Sequence, residues 1–277
     1  MFGAVELTTG LVLLLLAAGF AAGWVDAVVG GGGLLQLPVM LLVPGLTPVQ
    51  ALATNKLGSV FGTATSAITY RRRLGSDLRT ALPMAAIAFA TSLGGAVVAT
   101  LLPTGVIRPV ILAALVTVWI VTATRPQLGR VAALKHTGAA HLTRALALGG
   151  AVGFYDGMIG PGTGTFLILG LVALLGHDFL QASAQAKVVN LATNLGALAF
   201  FLPAGHAVLG LGLLLGAANL AGGYVGARMA IARGTGFIRV VFLAVVSALM
   251  LARWLRRDRL SDRRRGEDRD RGSRLHQ

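Results

Sequence analysis

The chain of 277 residues contains no cysteine, which excludes disulfide bonds and metal sites built on thiolates. Charge is also scarce, because 12% of the residues are charged where a soluble protein carries about a quarter. Lysine is rarest among the cations, with three residues, Lys56, Lys135 and Lys187. Hydrophobic residues make up 55% of the chain. This composition excludes an ordinary soluble domain.

The chain contains several long uncharged runs. Residues 11–22, 82–107 and 208–227 contain no charged side chain, and the last two reach the ~20 residues that span a bilayer core. A cleaved signal peptide is a weaker explanation of the first run, because Glu6 and no basic residue precede it. We predict an all-α polytopic membrane protein that crosses the membrane several times.

The net charge of +14 is best interpreted by position. Residues 256–277 hold nine arginines and five acids, a net charge of 9 − 5 = +4. We predict that this segment is a disordered, Arg-rich tail that contacts anionic lipid headgroups. No aromatic residues are interleaved with its arginines, so no nucleic-acid partner is predicted.

The chain contains two related halves. At an offset of 130 residues the glycines and acid of the first half fall on those of the second: Gly19, Gly23, Asp26 and Gly30 on Gly149, Gly153, Asp156 and Gly160. At an offset of 131, Lys56 in ALATNKLGS falls on Lys187 in ASAQAKVVN. A nearly constant offset over separate blocks indicates internal duplication. We predict a first transmembrane repeat over 1–124, a basic linker over 125–144 and a second repeat over 145–255.

Each half divides into five apolar segments. These are residues 7–24, 33–44, 48–70, 79–102 and 106–124 in the first half, and 145–159, 163–176, 183–203, 207–230 and 236–255 in the second. The second segment of each half is too short to cross the bilayer, which predicts a half-helix or a re-entrant limb. Counted as five crossings, or as three crossings plus a re-entrant hairpin, each half crosses an odd number of times and is inverted relative to its partner. A repeat with an even number of crossings is the alternative, and it alone brings the Arg-rich tail to the side of Arg71–Arg73.

A cluster of glycines interrupts each half between its first two segments. Irregular backbone at membrane depth is tolerated where it is buried in protein or lines a cavity. Helices that begin after Gly33 and Gly164 would point free N–H groups at the interruption, which is an anion-binding geometry. Tight packing of small residues is the alternative. The candidate binding residues here are Gly30, Gly31, Gly32, Gly33, Gly160, Gly162, Thr163 and Gly164.

Lys56 and Lys187 occupy equivalent positions inside apolar segments. A lysine there is costly unless it is paired or hydrated, so both are candidates for binding an anion. Polar side chains follow each lysine at helical spacing, which predicts a lined pathway or polar contacts between helices. Snorkelling of the lysines to the membrane surface is a further alternative. The candidate binding residues are Thr54, Asn55, Lys56, Gln185, Lys187, Asn190 and Asn194.

Asp26 and Asp156 are the acids well inside the apolar segments. They are predicted to be proton-coupling or structural residues, either as partners of the two lysines, as proton relays or as helix-end groups. We find no nucleophile beside a base, no metal-ligand cluster and no cofactor motif in the sequence. The chain is therefore not expected to be an enzyme or to carry a cofactor.

The order of these blocks resembles the TauE/SafE-like sulfite exporter family. The resemblance rests on GWVDAVVGGGGLLQLPVMLL, ALATNKLGSVFGT, DGMIGPGTGTFL and AKVVNLATN, and it covers about residues 10–255. It implies a permease of the bacterial inner membrane for sulfite or another sulfur-containing anion. It also implies that the glycine-rich turns and the Asn55, Lys56 and Lys187 positions belong to the family's repeated motifs. Ala186 stands where the first half has Asn55, so the two motifs are not identical.

The sequence thus predicts a secondary transporter of small anions that works by alternating access. Its expected partners are the anion and membrane lipid, and a homo-oligomer is compatible with the sequence. An anion channel and a membrane assembly subunit without transport activity are the alternatives.

Overall fold

The computed structural model of the chain describes residues 8–75, 78–103, 105–106 and 138–274. Every regular element in these ranges is helical. The helices are α1 (Thr9–Val29), α2 (Gly32–Met40), α3 (Pro48–Leu74), α4 (Leu78–Leu101), α5 (Gly138–Met158), α6 (Thr163–Gly170), α7 (Phe179–Phe201) and α8 (Leu209–Arg274). The prediction of an all-α protein is confirmed for the described residues.

Within the described ranges, three helical segments are long and apolar enough to cross a membrane: Thr9–Val29, Leu78–Leu101 and Leu209–Val241. The surface and the interior of the bundle both differ from those of a soluble protein. Large apolar side chains such as Leu13, Leu101 and Leu213 are exposed, whereas Gln36 and Lys187 are fully buried. An apolar outer surface, with buried polar groups among apolar core clusters, suits a chain whose solvent is lipid.

Side-chain caps define where the longer helices begin. The Thr8 hydroxyl accepts a hydrogen bond from Leu11 N at the start of α1, and the Asp178 carboxylate accepts one from Gln181 N at the start of α7. Thr47 and Gln50 form a reciprocal capping box before α3. These caps satisfy amide groups that otherwise have no partner in the first turn.

The second segment of each half is short, as predicted. Helix α2 has nine residues and covers about 14 Å at 1.5 Å per residue, less than half of the bilayer core. Helix α6 has eight residues and continues as a π-helical turn over Leu171–Leu175. Helix α6 begins at Thr163, where its predicted segment begins, and α2 begins at Gly32, one residue before its predicted segment. Neither helix waits until after Gly33 or Gly164, because Gly31 and Gly162 already serve as the N-cap residues.

The last helix differs from the prediction in two ways. Gly234 has non-helical dihedral angles (φ 70°, ψ −166°), so α8 consists of two helices that meet where the fourth and fifth segments of the second half are predicted to be separate. The backbone is also helical over residues 256–274, where the sequence predicts disorder. Arginines and acids at spacings of three and four residues permit a helix there.

Two predicted segments at the junction of the halves have a different outcome. The fifth segment of the first half, residues 106–124, lies almost wholly outside the described residues. Residues 138–144, which the sequence assigns to the basic linker, belong to the first two turns of α5.

Contacts between helices give their relative directions. Gly19 faces Leu215 and Gly23 faces Asn219, so α1 runs parallel to α8. Gly149 faces Met84 and Gly153 faces Ala88, so α5 runs parallel to α4 in the same manner.

Helices α3 and α7 meet in the centre of the bundle and run in opposite directions. Asn194 Nδ2 donates to Thr63 Oγ1 over 3.4 Å, and Ala53 near the start of α3 belongs to one apolar cluster with Ala197 and Phe201 near the end of α7. Helix α3 also packs on α8, and α7 packs on α4. The first and third helices of one half therefore pack against the fourth helix of the other half.

Neighbouring glycines on α4 provide a test of this packing. A methyl group on Gly95 would overlap the carbonyl of Phe154, whereas Gly94 has open space around it. We expect Gly95→Ala to lower the free energy of unfolding by about 1–3 kcal/mol, the usual cost of overpacking. Gly94→Ala should leave the thermal stability within error of the wild type, and equal losses in the two variants would contradict the α4–α5 contact.

Candidate functional site

The two glycine interruptions contact each other in the middle of the protein. Gly30 ends α1 with φ +80°, and its amide donates to the carbonyl of Asp26 at 2.8 Å. The carbonyl of Gly30 accepts a hydrogen bond from Thr165 N at 3.2 Å, and the Thr165 hydroxyl donates to Val29 O at 3.0 Å. A Cβ on Gly164 would lie 2.5 Å from the Cα of Gly30. Because the backbones touch, side chains at these two positions are excluded.

Two buried ion pairs flank this contact, and each joins the lysine of one half to the aspartate of the other. Lys187 Nζ lies 2.9 Å from Asp26 Oδ2 and also donates to the main-chain carbonyl of Asp26. Lys56 Nζ pairs with Asp156 Oδ2. The pairing predicted as one alternative for these residues therefore occurs, and it crosses between the halves. Removing one member of such a pair leaves an uncompensated buried charge.

Hydroxyl groups support the carboxylates and the ends of the interruptions. The Thr163 hydroxyl donates to Asp156 Oδ1 at 2.5 Å, and the Thr63 hydroxyl lies 3.5 Å from Asp26 Oδ2. Tyr70 donates to Ala27 O at 3.0 Å, and Tyr155 donates to Pro161 O at 2.7 Å. The two tyrosine hydrogen bonds satisfy main-chain carbonyl groups that the interrupted helices leave without an intrahelical partner.

A cavity of about 20 Å³ lies between the two ion pairs. Its volume is sufficient for about one water molecule. Gly160 makes room for the ammonium group at the wall, because a Cβ there would lie 2.8 Å from Lys56 Nζ. The lining residues come from both halves and are Asp26, Gly30, Gly33, Asn55, Lys56, Ser59, Thr63, Asp156, Gly160, Gly162, Thr163, Gly164, Asn190 and Asn194.

Most of the predicted binding residues line this cavity, but five do not. Gly31 is the N-cap of α2, Gly32 packs against the Ala22 carbonyl, and Thr54 accepts a hydrogen bond from Val208 N. Gln185 is buried outside the cavity wall, and Lys187 is held by Asp26. Thr54, Gln185 and Lys187 lie away from the cavity because the side chains of one helix diverge around its axis, so sequence neighbours do not share a surface.

The predicted cradle of amide groups is already partly used. Thr163 N donates to Gly160 O and Thr165 N donates to Gly30 O, so these two amides at the start of α6 are engaged within the protein. Gly33 near the start of α2 and Gly164 near the start of α6 remain at the cavity wall. The side chain of Lys56 is therefore the principal cationic group that faces the cavity.

Sequence reasoning left several polar residues of this region out of the predicted site. Ser59 and Thr63 line the cavity and belong to the polar stripe that follows Lys56, so their helical spacing was the available signal. Gln36 and Asn219 form a buried amide pair, in which Asn219 Nδ2 donates to Gln36 Oε1 at 2.7 Å. They have no counterpart in the other half, where Leu167 and Ala88 occupy the corresponding positions at an offset of 131, so repeat matching did not reveal them.

No group of three or more histidine, aspartate or glutamate side chains capable of holding a metal ion occurs in the described part of the chain. The charged groups around the cavity are instead matched in number, with two ammonium groups and two carboxylates. Chemically, such a site can exchange one anionic ligand of a lysine for another.

A family model described as sulfite exporter TauE/SafE matches residues 15–253, which contain both interruptions and both ion pairs. No solved structure matches the chain significantly.

Three relatives are similar in sequence to this chain over most of their own length. A probable membrane transporter protein, ORF9, from Sinorhizobium sp. is 36% identical over 246 residues, covering 89% of this chain and 93% of that protein. The probable membrane transporter protein YfcA from Escherichia coli K12 is 33% identical over 234 residues, covering 84% and 86%. A probable membrane transporter protein from Haemophilus influenzae is 30% identical over 243 residues, covering 88% and 94%. The similarity therefore extends beyond isolated motifs.

Proposed function

Because the chain belongs to the sulfite exporter TauE/SafE family of membrane transporters, we propose that it is a secondary transporter of small anions. The proposed substrate is sulfite or another sulfur oxyanion or organosulfonate. The proposed location is the inner membrane of a bacterial cell, where the chain crosses the bilayer several times and contacts lipid through its apolar surface. A homo-oligomer is compatible with this proposal.

The observation that carries the proposal is a buried cation at the wall of a polar cavity. Lys56 reaches the cavity from α3, and the amide side chains of Asn55, Asn190 and Asn194 line it as well. An ammonium group with nearby amide donors suits a small oxyanion, whose charge and several acceptor oxygens it can match. Gly33 and Gly164 add the positive ends of two short helices.

We further propose that the halves 1–124 and 145–255 are repeats of opposite orientation, joined by the linker 125–144 and followed by the tail 256–277. Equivalent contacts support this arrangement, since Gly23 with Asn219 and Gly153 with Ala88 correspond at offsets of 130 and 131. The opposite directions of α3 and α7, which are equivalent helices, support it too. Because the fourth helix of each half packs on the first and third helices of the other half, the two bodies that would rock against each other are α1, α3 and α8 on one side and α4, α5 and α7 on the other. Their rocking would open the central site to each side of the membrane in turn.

The size of the cavity is consistent with an occluded state of this cycle. A sulfite ion has four heavy atoms, whereas the cavity accommodates about one water molecule. Binding therefore requires the walls to separate, and the shared backbone contact at Gly30 and Gly164 is where the two halves would part.

Transport by proteoliposomes tests the proposal. We expect Lys56→Ala to reduce counterflow of radiolabelled sulfite at least about tenfold, because a lost charged hydrogen bond costs about 1.5–3 kcal/mol. Lys135→Ala, in the predicted linker, is the matched control and should retain wild-type counterflow. Sulfite, thiosulfate and methanesulfonate would be compared as substrates.

One outcome would contradict this function and another would contradict the site. Currents at channel rates without counterflow would favour an anion channel. Equal counterflow in Lys56→Ala and Lys135→Ala would show that transport does not depend on Lys56 and would overturn the proposed site.

A further inference from the structure

The two buried ion pairs are placed differently relative to the cavity. Lys56 lines the cavity and its counter-ion is Asp156. The Lys187 side chain is 0% exposed, and Lys187 is not one of the described residues that line the cavity. Its ammonium group donates both to the carboxylate and to the main-chain carbonyl of Asp26. An anion that enters the cavity therefore reaches the ammonium group of Lys56 and not that of Lys187.

We propose, as an extension of the proposed function, that Lys56–Asp156 is an exchangeable ion pair that couples the anion to a proton. The anion takes the place of the Asp156 carboxylate on Lys56, and Asp156 accepts one proton. The Lys187–Asp26 pair persists through the cycle and positions the end of α1. The ligand class is thus a monoanion together with a proton, bound and released as a neutral combination.

Charge balance is the physical reason for the proton. The empty site holds two ammonium groups and two carboxylates, so its net charge is zero. A monoanion added alone would leave one negative charge without compensation in a site nearly closed to water, which is costly. In the proposed step an O–H bond forms at Asp156 Oδ2 and no other covalent bond changes. On release that O–H bond breaks, and the proton leaves to the same side as the anion.

Local contacts favour Asp156 over Asp26 as the proton acceptor. The Thr163 hydroxyl lies 2.5 Å from Asp156 Oδ1 and would hold this side chain after Lys56 turns to the anion. Protonation of Asp26 would instead remove the carboxylate partner of Lys187, a lysine that the anion does not reach. With Asp156 protonated, each ammonium group retains one anionic partner.

The surroundings of Asp156 also define the control. The titratable groups that face it are Lys56 from α3, the adjacent Tyr155 on α5 and the Asp26–Lys187 pair across the cavity. The Asp26 side chain is 12% exposed and that of Asp156 is 2% exposed, so Asp26 is the more accessible carboxylate of the cavity. Asp26→Asn alone would leave one ammonium group in excess and would let an anion bind without a proton. The control is therefore Asp26→Asn combined with Lys187→Met, which removes this carboxylate and keeps the net charge of the site at zero.

The experiment measures proton uptake on anion binding by the purified full-length chain. Methanesulfonate is the probe, because its sulfonate stays a monoanion over the accessible pH range. Isothermal titration calorimetry in buffers of different ionisation enthalpy gives the number of protons taken up. We expect the wild type to take up one proton per anion, with an affinity that rises about tenfold per pH unit of acidification. Asp156→Asn should take up none and bind more tightly than the wild type at neutral pH.

The remaining arms separate this proposal from the proposed function. The double variant Asp26→Asn/Lys187→Met and the single variant Asp156→Glu should both retain proton uptake. Binding by the wild type without proton uptake, or loss of uptake in the double variant, would overturn the coupling and leave anion transport standing. Absence of methanesulfonate, sulfite and thiosulfate binding would overturn both. If Asp156→Asn fails to fold, the wild-type stoichiometry and Asp156→Glu still decide the result.

Discussion

Gly30→Ala is expected to prevent accumulation of a stable folded protein. Gly30 has φ +80°, and a methyl group there would overlap the backbone of Gly164 and Thr165. Backbone atoms cannot move aside as the end of a flexible side chain can. The left-handed conformation costs about 1–2 kcal/mol for alanine, and overpacking adds about 1–3 kcal/mol. Size-exclusion chromatography in detergent and thermal unfolding would measure the loss.

A matched control separates conformational strain from overlap. Gly205 has φ +70°, and a methyl group on it would have nothing within 4 Å, so Gly205→Ala carries the strain without the overlap. Gly164→Ala should resemble Gly30→Ala, because each glycine faces the other. Equal melting temperatures for Gly30→Ala and Gly205→Ala would show that the two interruptions are not in contact.

Lys187→Met is expected to destabilise the protein by about 3–5 kcal/mol, the cost of leaving a buried charge without its partner. The carboxylate of Asp26 would lose its ammonium partner at 2.9 Å and retain the more distant Thr63 hydroxyl. Adding Asp26→Asn to Lys187→Met removes the orphaned charge, so the double variant should be more stable than Lys187→Met alone. A double-mutant cycle of unfolding free energies measures the coupling.

One result of this double-mutant cycle would contradict the ion pair. Strictly additive losses in the double variant would show that Lys187 and Asp26 do not interact. A second cycle with Lys56→Met and Asp156→Asn would test the other pair in the same way. It adds a separate readout, because Lys56 also faces the cavity and its loss should impair anion binding.

Much of the fold was predictable because the bilayer constrains sequence strongly. The long apolar segments and the short segment after each glycine cluster follow from local chemistry. The starts of α2 and α6 were misplaced slightly, since an N-cap glycine is not distinguished by its sequence from the glycines around it. The helical backbone over residues 256–274 was not predicted, because composition indicates solvation and does not report helix formation.

The site was predictable as a set of residue types and only partly as a surface. Asn55, Lys56, Asn190 and Asn194 were recognised because polar groups are rare in apolar segments, and they line the cavity. Lys187 was recognised for the same reason, yet it lies behind Asp26. Repeat equivalence predicts similar positions for the two lysines and does not predict different exposure, which depends on how the two halves pack.

The sequence by itself determined that this protein is a helical membrane protein of the sulfite exporter TauE/SafE family, with two interruptions, two lysines and two aspartates in its apolar segments. Only the tertiary structure decided which charges meet. Asp26 pairs with Lys187 across 161 residues, and Lys56 pairs with Asp156 of the other half. Such partners are chosen by helix packing rather than by spacing, because a buried charge is stabilised by whichever opposite charge the fold places within a few ångströms.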